Sequence, residues 1–366
     1  MQAAADLQGT VTDSGILFFD ASCQRPYDTH SVTYEATGGT EASLVRVADA
    51  LGATVVQHNR TGNSGRYRGP GPVAGITRVV LNRDSRALPA VRELYPHARV
   101  FLWVHDHFPR GSKRARRLAS TKELLSEMSV TLVCVSDEQR RSVESLLRHL
   151  RIDHRVRACR IYNPVDDTLA PDGSPVDYGK LAFFSSPNKG LKFALDAFKE
   201  LRRRMPDLRL VVGNPGYKVR PSAATAAVQF LGPQPQWRIH AEVRTALCTF
   251  FPNFLLPETF GLVFAESKAL GTPILTHDCG AAAEVIGDPR QLLPVTLGDR
   301  VYESLCGKLP GRWRSAPARL AARVGLFDRY AERIAAWRSG TRPSTDPDPR
   351  FRLSAIAPEW RALLSA

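Results

Sequence analysis

Residues 257–273 read PETFGLVFAESKALGTP, and the chain is organised around this stretch. Two carboxylates, Glu258 and Glu266, lie eight residues apart on either side of a Phe-Gly pair. Proline upstream and Gly-Thr-Pro downstream bound the apolar run, which predicts a loop that becomes a helix near Gly261. N–H groups at such a helix start attract an anion, and an ionised carboxylate accepts hydroxyl hydrogen bonds strongly. A loop glutamate followed by a solvated glutamate on an amphipathic helix is the alternative interpretation.

This stretch resembles the E-x7-E signature of the retaining family-4 glycosyltransferases, which have the GT-B fold. The resemblance implies that Glu258 faces the sugar of the donor and that Glu266 faces the ribose of its nucleotide. It also implies that the backbone at Phe260, Gly261 and Leu262 holds the diphosphate. The expected ligand is therefore a nucleoside diphosphate sugar.

Length and composition indicate two globular domains. The chain has 366 residues, of which 43% are hydrophobic and 23% charged, and this length is too great for one ordinary core. No stretch has the roughly 20 apolar residues that a membrane-spanning helix needs, and the first residues lack a signal pattern. Six cysteines without a C-x-x-C pair predict a reducing cytoplasm and no zinc site.

A net charge of +14 favours anionic partners. The densest basic stretch, RGSKRARR, occupies residues 110–117 and has Arg110 and Arg117 at its ends. No aromatic residues interleave with it as stacking platforms, and no finger or RNA-recognition pattern accompanies it, which argues against a nucleic-acid partner. Two interpretations stay open with equal weight: a solvated basic face, or a role at an anionic membrane or at the phosphate of an acceptor.

The first half of the chain alternates predicted strands and helices. A strand at residues 16–20 leads into a polar loop, and Gly38 and Gly39 then precede a predicted helix at residues 42–52. Paired glycines let the backbone approach the phosphates of a ligand, although a simple loop-to-helix turn explains them equally well. Residues 59–72 are rich in glycine, arginine and asparagine, which predicts a mobile loop.

A predicted strand at residues 100–104 ends in a His-Asp-His tip that contains His105 and His107. This tip is interpreted as a metal site without a fourth ligand, as a structural histidine, or as a ligand-binding edge of a parallel sheet. The glycosyltransferase resemblance implies that His105, with His107 as the alternative, lies beside the donor sugar. The same resemblance implies that Gly38 and Gly39 face the donor diphosphate and the acceptor.

Residues 171–175 have the composition of a linker, and we place the domain boundary there. The first domain is predicted at residues 1–170 and the second at residues 171–345. Alternation of strands and helices on both sides predicts two α/β doubly wound, Rossmann-like domains facing a cleft. The family resemblance implies that a C-terminal helix at residues 351–366 packs back on the first domain. Residues 320–337 are predicted as one amphipathic helix.

The second domain opens with a strand, a polar turn that contains Lys189, and a helix. Such a turn forms a phosphate pocket in which Lys189 is a point charge, and a solvated turn lysine is the alternative. Members of the family commonly have an arginine five residues earlier, where this chain has Phe184, so half of the usual cationic clamp is missing. Gly213 ends the next strand, where the family has a glycine-rich turn beside the nucleotide.

The motifs follow the order found in that family. The resemblance implies transfer of a hexosyl group from a UDP- or GDP-sugar to a glycan, lipid-linked or small-molecule acceptor, with retained configuration and without metal or cofactor. His105, Glu258 and Lys189 are the predicted catalytic residues. The expected setting is cell-surface polysaccharide biosynthesis in the cytoplasm, with contact at the inner membrane face through residues 110–117. A sugar-nucleotide epimerase and a non-catalytic polysaccharide- or nucleic-acid-binding protein are the alternatives.

Overall fold

The structure is a computed structural model that describes residues 14–214, 225–308 and 316–366. These residues form two compact units. The first unit comprises residues 14–29, 40–164 and 352–366, and the second comprises residues 30–39 and the described part of 165–351. The chain passes from the first unit to the second between Pro164 and Val165, six residues before the predicted boundary.

The strands of the first unit are β1 (Ile16–Asp20), β2 (Thr54–Gln57), β3 (Tyr67–Arg68), β4 (Arg78–Asn82), β5 (Arg99–Val104), β6 (Thr131–Cys134) and β7 (Arg157–Arg160). Those of the second unit are β8 (Asp177–Phe184), β9 (Arg209–Asn214), β10 (Val228–Pro233), β11 (Ala246–Phe251), β12 (Ile274–His277) and β13 (Leu292–Leu293).

The helices up to the second unit's sheet are α1 (Thr29–Tyr34), α2 (Gly39–Leu51), α3 (Leu88–Leu94), α4 (Lys113–Ala119), α5 (Lys122–Glu127) and α6 (Asp137–Leu150). They are followed by α7 (Leu191–Arg204), α8 (Gln236–Arg244), α9 (Leu262–Ala269), α10 (Ala282–Ile286), α11 (Leu297–Lys308), α12 (Ala316–Arg323), α13 (Asp328–Ala336) and α14 (Leu353–Ser365).

The first unit is built on a seven-stranded sheet in the order β3-β2-β1-β4-β5-β6-β7, with every described strand pair parallel. The chain runs outward from β1 to β3 and then returns to β4, so the strand order reverses between β1 and β4. In open α/β sheets, ligands bind at the carboxyl ends of the strands next to such a reversal.

Both faces of this sheet are covered by apolar side chains. On one face, Leu81 and Leu102 belong to a core that includes residues from α3, α4, α5 and α6. On the other face, the Trp103 ring packs edge-on against Phe18 and against Trp360 of α14, with ring centroids 6.2 and 4.9 Å away. The C-terminal helix therefore contributes a fully buried tryptophan to the first unit.

The second unit has a six-stranded parallel sheet in the order β10-β9-β8-β11-β12-β13. Here the strand order reverses between β8 and β11. The prediction of two α/β doubly wound domains is therefore confirmed. None of the helices in the described ranges combines the length and the apolar character needed to cross a bilayer.

Three local predictions are wrong. The single helix predicted at residues 320–337 is instead two helices, α12 and α13, because Gly325 adopts a φ of +68° and the chain turns there. The loop predicted at residues 59–72 contains β3, which pairs with β2 at the sheet edge. The helix predicted from residue 42 begins three residues earlier, so Gly39 is its first residue rather than part of the preceding turn.

Candidate active site

The carboxyl ends of β8 and β11 carry the segments predicted to hold the donor. Residues 185–190 follow β8 and residues 252–261 follow β11, its neighbour in the sheet. Gly190, with a φ of +87°, precedes α7, and a Cβ built on it would lie 3.2 Å from the carbonyl oxygen of Pro252. The absence of a side chain at Gly190 lets the two segments touch.

Lys189 and Glu258 form an ion pair between these two segments. The Nζ atom of Lys189 lies 2.9 Å from Oε2 of Glu258. The Glu258 side chain is only 9% exposed, whereas that of Lys189 is 33% exposed. The carboxylate is thus more enclosed than the lysine side chain, and two of the three predicted catalytic residues lie together.

The turn after β12 supports the backbone of Glu258. The N–H group of Ala281 donates to the Glu258 carbonyl oxygen at 2.9 Å. Gly280 has a φ of +59°, and a Cβ on it would lie 2.4 Å from the same oxygen. Any other residue at position 280 would therefore both strain the backbone and push on the loop that carries Glu258.

Gly261 marks the change from loop to helix. Its φ is +83°, and helix α9 begins at Leu262, the next residue. A Cβ at Gly261 would lie 2.3 Å from the Phe264 ring, so only glycine fits. Just before it, the buried Phe260 ring packs on Phe351 with centroids 5.2 Å apart. The prediction of a loop that becomes a helix near Gly261 is confirmed, and the first N–H groups of α9 form an anion-attracting end.

Glu266 is the fifth residue of α9, within two turns of its start as predicted. The side chain is 6% exposed, and its Oε2 lies 3.7 Å from Nε2 of His240, a buried residue of α8. His240 was not predicted from the sequence, since it comes from a different helix and matches no motif. Only the packing of α8 against α9 brings the two side chains together.

Each of the two glutamates keeps one buried oxygen atom available. Oε1 of Glu258 and Oε1 of Glu266 have no hydrogen-bond partner among the described residues. A buried carboxylate oxygen without a donor is unfavourable, and a ligand hydroxyl would satisfy it. The arrangement suits the hydroxyl groups of a sugar or of a ribose.

Residues 30–39 belong to the second unit, and their last residue, Gly39, approaches the start of α9. A Cβ on Gly39 would lie 2.7 Å from Cδ1 of Leu262. Gly38 beside it is buried. Gly39 of the predicted glycine pair thus lies against Leu262, one of the three residues predicted to hold the diphosphate.

Gly213 has a packing role at its position in β9. A Cβ on it would lie 2.5 Å from Cδ1 of Ile239 in α8 and 3.5 Å from Cβ of Phe184. Glycine therefore lets α8 lie close on the sheet next to Phe184, the residue that replaces the arginine expected from the family. None of the contacts described for Gly213 joins it to Lys189 or Glu258.

His105, the third predicted catalytic residue, lies in the first unit directly after β5. Its ring centroid is 4.6 Å from that of Trp103. Burial, and then the positive charge of Arg83, lower the pKa of His105 to about 3 against the opposing effect of Asp106. The imidazole is therefore neutral at physiological pH and serves as a hydrogen-bonding group without charge.

The sequence analysis did not single out two charged residues in this region, Arg83, which acts on His105, and Glu41, which acts on Arg83. Arg83 follows β4, and Glu41 lies in the first turn of α2, where burial raises the pKa of its carboxyl group. The position of Arg83 just after β4 was a usable signal, because parallel strands all point their carboxyl ends at one edge. Across the residues that the structure describes, no three His, Cys, Asp or Glu side chains group as metal ligands would.

Residues 185–292 match the family model described as Glycosyl transferases group 1. The matched segment begins at the turn that carries Lys189 and includes both Glu258 and Glu266. The match supports a glycosyltransferase. Assignment to family 4, and the E-x7-E role of the two glutamates, stay predictions.

Two curated relatives are similar in sequence. The chain is 30% identical over 187 residues to the phosphatidyl-myo-inositol mannosyltransferase of Mycolicibacterium smegmatis, covering 47% of this chain and 48% of the relative. It is 25% identical over 310 residues to the D-inositol 3-phosphate glycosyltransferase of a Nocardioides species, covering 74% of this chain and 64% of the relative. The chain thus spans about half to two thirds of the length of these relatives.

Solved structures share the fold along nearly the whole chain. Anabaena HepE in complex with UDP-glucose has a TM-score of 0.62 at 14% identity, covering 96% of this chain and 99% of that one. Sucrose-phosphate synthase of Thermosynechococcus elongatus has a TM-score of 0.57 at 15% identity, covering 96% and 98%. At such identities the likeness concerns the fold alone, and it agrees with the predicted GT-B class.

Proposed function

We propose that the protein transfers a sugar from a nucleoside diphosphate sugar to a hydroxyl acceptor, with retained anomeric configuration and without a metal ion. The observation that carries the proposal is the Lys189–Glu258 pair close to the start of α9, inside the segment that matches the family model. A cation, an anion-attracting helix start and an enclosed carboxylate are the groups that a sugar diphosphate requires.

In the proposed reaction, the bond between the anomeric carbon and the diphosphate oxygen breaks, and its electron pair stays on the diphosphate. Lys189 and the first N–H groups of α9 stabilise that negative charge, which is usually the largest electrostatic contribution to such catalysis. The acceptor oxygen forms the new bond on the face that the diphosphate leaves. Its proton passes to the departing diphosphate oxygen, so charge and atoms balance.

The two glutamates have different proposed partners. Glu258 accepts hydrogen bonds from hydroxyl groups of the sugar, and Glu266, held beside His240, accepts those of the ribose. His105 is the third proposed catalytic residue, as a neutral hydrogen-bonding group. The backbone of Gly38 and Gly39, with that of Phe260, Gly261 and Leu262, is proposed to approach the diphosphate, and Gly213 is proposed to lie beside the nucleotide.

We propose a UDP- or GDP-sugar carrying a hexose as the donor, and a glycan, lipid-linked or small-molecule acceptor in cell-surface polysaccharide biosynthesis. Support for the donor comes from the UDP-glucose bound by Anabaena HepE. Support for an inositol-like or lipid acceptor comes from the names of the curated relatives. The proposed setting is the cytoplasm, with contact at the inner membrane face through residues 110–117.

Sugar transfer by variants of the ion pair tests the proposal. Glu258→Gln and Lys189→Ala are each expected to lower kcat/KM about 100-fold or more, because each removes a charge aimed at the reacting group. Glu332→Gln and Lys199→Ala are matched controls, since both side chains are exposed on helices of the same unit. Near-normal transfer by both ion-pair variants would refute the assignment.

The nucleotide is identified by ligand-induced stabilisation. UDP, GDP, ADP and dTDP are compared in a thermal-shift panel, because a ligand that binds the folded state raises Tm by mass action. The preferred nucleotide is expected to lose its effect in Glu266→Ala. Turnover of the sugar donor without any acceptor would instead favour the epimerase alternative.

A further inference from the structure

Two arginines at the carboxyl edge of the first unit's sheet share one carboxylate. Nη2 of Arg83 lies 3.2 and 3.4 Å from the two carboxylate oxygens of Asp106, and Nη2 of Arg114 lies 3.2 Å from Oδ1. Arg83 follows β4, Asp106 follows β5 and Arg114 belongs to α4. One oxyanion thus bridges guanidinium groups that come from separate elements.

Backbone contacts fix this arrangement independently of the ion pairs. Arg83 has a φ of +65°, which is uncommon for a residue with a side chain, and its N–H group donates to the Trp103 carbonyl oxygen at 2.9 Å. The Asp106 carbonyl oxygen accepts from Nε2 of Gln139, in the first turn of α6, at 3.0 Å. Backbone conformations of this kind persist where surrounding contacts enforce them, often at functional positions.

Basic side chains outnumber acidic ones in the stretch that carries Arg114, whereas three acidic residues act on Arg83, namely Asp106, Glu41 and Asp20. Five of the eight residues at positions 110–117 are basic and none is acidic. Asp106 already serves two guanidinium groups, and the nearby Asp84 is bound by Arg86 at 2.5 Å. Side chains of Arg83, Asp106 and Arg114 are 31%, 25% and 53% exposed, so an ion from solvent can reach them.

We propose that this edge binds an acceptor through a phosphate ester, which takes the place between Arg83 and Arg114 that the Asp106 carboxylate now holds. Two guanidinium groups offer paired N–H donors to the oxygens of a tetrahedral anion, and the basic stretch favours a ligand with more charge than one carboxylate. The inference rests on the proposed sugar transfer only in calling the ligand an acceptor. A phosphorylated small molecule and a phospholipid headgroup share this chemistry.

Binding of inorganic phosphate tests the site. Phosphate affinity is measured by thermal shift at constant ionic strength in the full chain and in Arg83→Gln, Arg114→Gln and Arg83→Lys. Each glutamine variant is expected to weaken binding about tenfold or more, because a charge-assisted hydrogen-bond pair is lost. Arg83→Lys keeps the positive charge but loses the paired N–H donors of the guanidinium group, so a smaller decrease in phosphate affinity is expected. Asp106→Asn is expected to tighten binding by removing the competing carboxylate.

Two controls separate this site from the donor site. Lys189→Ala removes the cation of the second unit and should leave the Arg83-dependent phosphate affinity unchanged, whether or not sugar transfer fails. Arg155→Gln removes an exposed arginine of the first unit and should change nothing. Phosphate affinity that is unaffected by both glutamine variants, or that is lost in Lys189→Ala, overturns the proposal. Arg114 is half exposed, so Arg114→Gln remains informative if Arg83→Gln fails to fold.

Flotation with vesicles distinguishes the two sources of the phosphate ester. Phosphatidylcholine vesicles with and without phosphatidic acid are compared for the wild-type chain and for Arg83→Gln. Retention that requires phosphatidic acid and Arg83 supports the site and indicates a lipid acceptor. Arg83-dependent phosphate binding without vesicle retention supports it and indicates a soluble phosphorylated acceptor. Vesicle retention that ignores Arg83, together with phosphate affinity that ignores it, refutes the site.

Discussion

Replacement of Gly280 by alanine tests whether the turn after β12 positions Glu258. The Cβ of such an alanine would lie 2.4 Å from the Glu258 carbonyl oxygen and 3.0 Å from Cβ of Pro257. Because real Cβ contacts stay above 3.0 Å, the loop has to retreat by about 0.6 Å, the difference between the two distances. Gly287 is the matched control, since its φ of +75° is equally left-handed while nothing lies within 4 Å of its Cβ position.

Both substitutions lower the free energy of unfolding through backbone strain, and only Gly280→Ala lowers it further through a steric clash. Alanine in a left-handed conformation costs about 1 kcal/mol in both variants. Gly280→Ala adds overpacking against the loop, which costs about 2 kcal/mol more. At about 3 °C per kcal/mol for a domain of this size, Tm is expected to fall by about 3 °C in Gly287→Ala and by about 9 °C in Gly280→Ala.

Activity should separate the variants more clearly than stability. If Glu258 has the proposed catalytic role, a shift of about 0.6 Å is expected to lower kcat/KM for sugar transfer roughly tenfold. Gly287→Ala should keep about the wild-type value at temperatures where it is folded. Equal losses of Tm and of activity in the two variants would refute the view that this turn sets the position of Glu258.

Three further predictions concern charge and positioning. Stability should fall as the pH drops from about 6.5 towards 3, because His105 takes up a proton in the unfolded chain but stays neutral in the folded one, and pH-dependent melting of wild type and His105→Gln measures this effect. Stability should fall further towards pH 2, because Asp299, whose burial is outweighed by hydrogen bonds that lower its pKa to about 2, loses its charge there. Arg329 of α13 forms an ion pair with the fully buried carboxylate of Asp299 in α11. Asp299→Asn and Arg329→Met should each cost about 3 kcal/mol and the double variant less than their sum, and additive costs by denaturant unfolding would contradict coupling between the two side chains. His240→Ala should raise the donor KM several-fold with kcat nearly unchanged, and His240→Gln should restore part of it; a pure kcat effect would argue against a role in holding Glu266.

Elements with a strong local pattern were predictable from the sequence. Apolar runs such as residues 16–20 and 246–251 are buried on both faces, which is typical of parallel strands covered by helices on both sides. Glycine at position 261 after a proline-bounded loop marked the start of α9 because a left-handed residue there needs no side chain. Local chemistry alone determined these features.

Features that depend on distant packing were not predictable in this way. The pairing of His240 with Glu266 requires α8 to lie against α9, and the sequence of neither helix indicates that the other is its packing partner. Tyr67 and Arg68 form an edge strand only because β2 offers hydrogen-bonding groups beside them. Gly325 breaks a helix whose apolar spacing continues on both sides, since the spacing does not reveal which glycine adopts a positive φ.

The enclosed glutamates connect the stability of the second unit with the proposed binding of the donor. Each buried carboxylate oxygen without a donor costs about 1–3 kcal/mol, so Glu258 and Glu266 make the unit less stable than a packed apolar pair would. Lys189 offsets this for one oxygen of Glu258, and Nε2 of His240 lies 3.7 Å from one oxygen of Glu266. In the proposed reaction, hydroxyl groups of the donor satisfy the remaining oxygens. Under that proposal, donor binding and the relief of these buried charges act on the same two side chains, which would account for acidic residues at positions that are less than one tenth exposed.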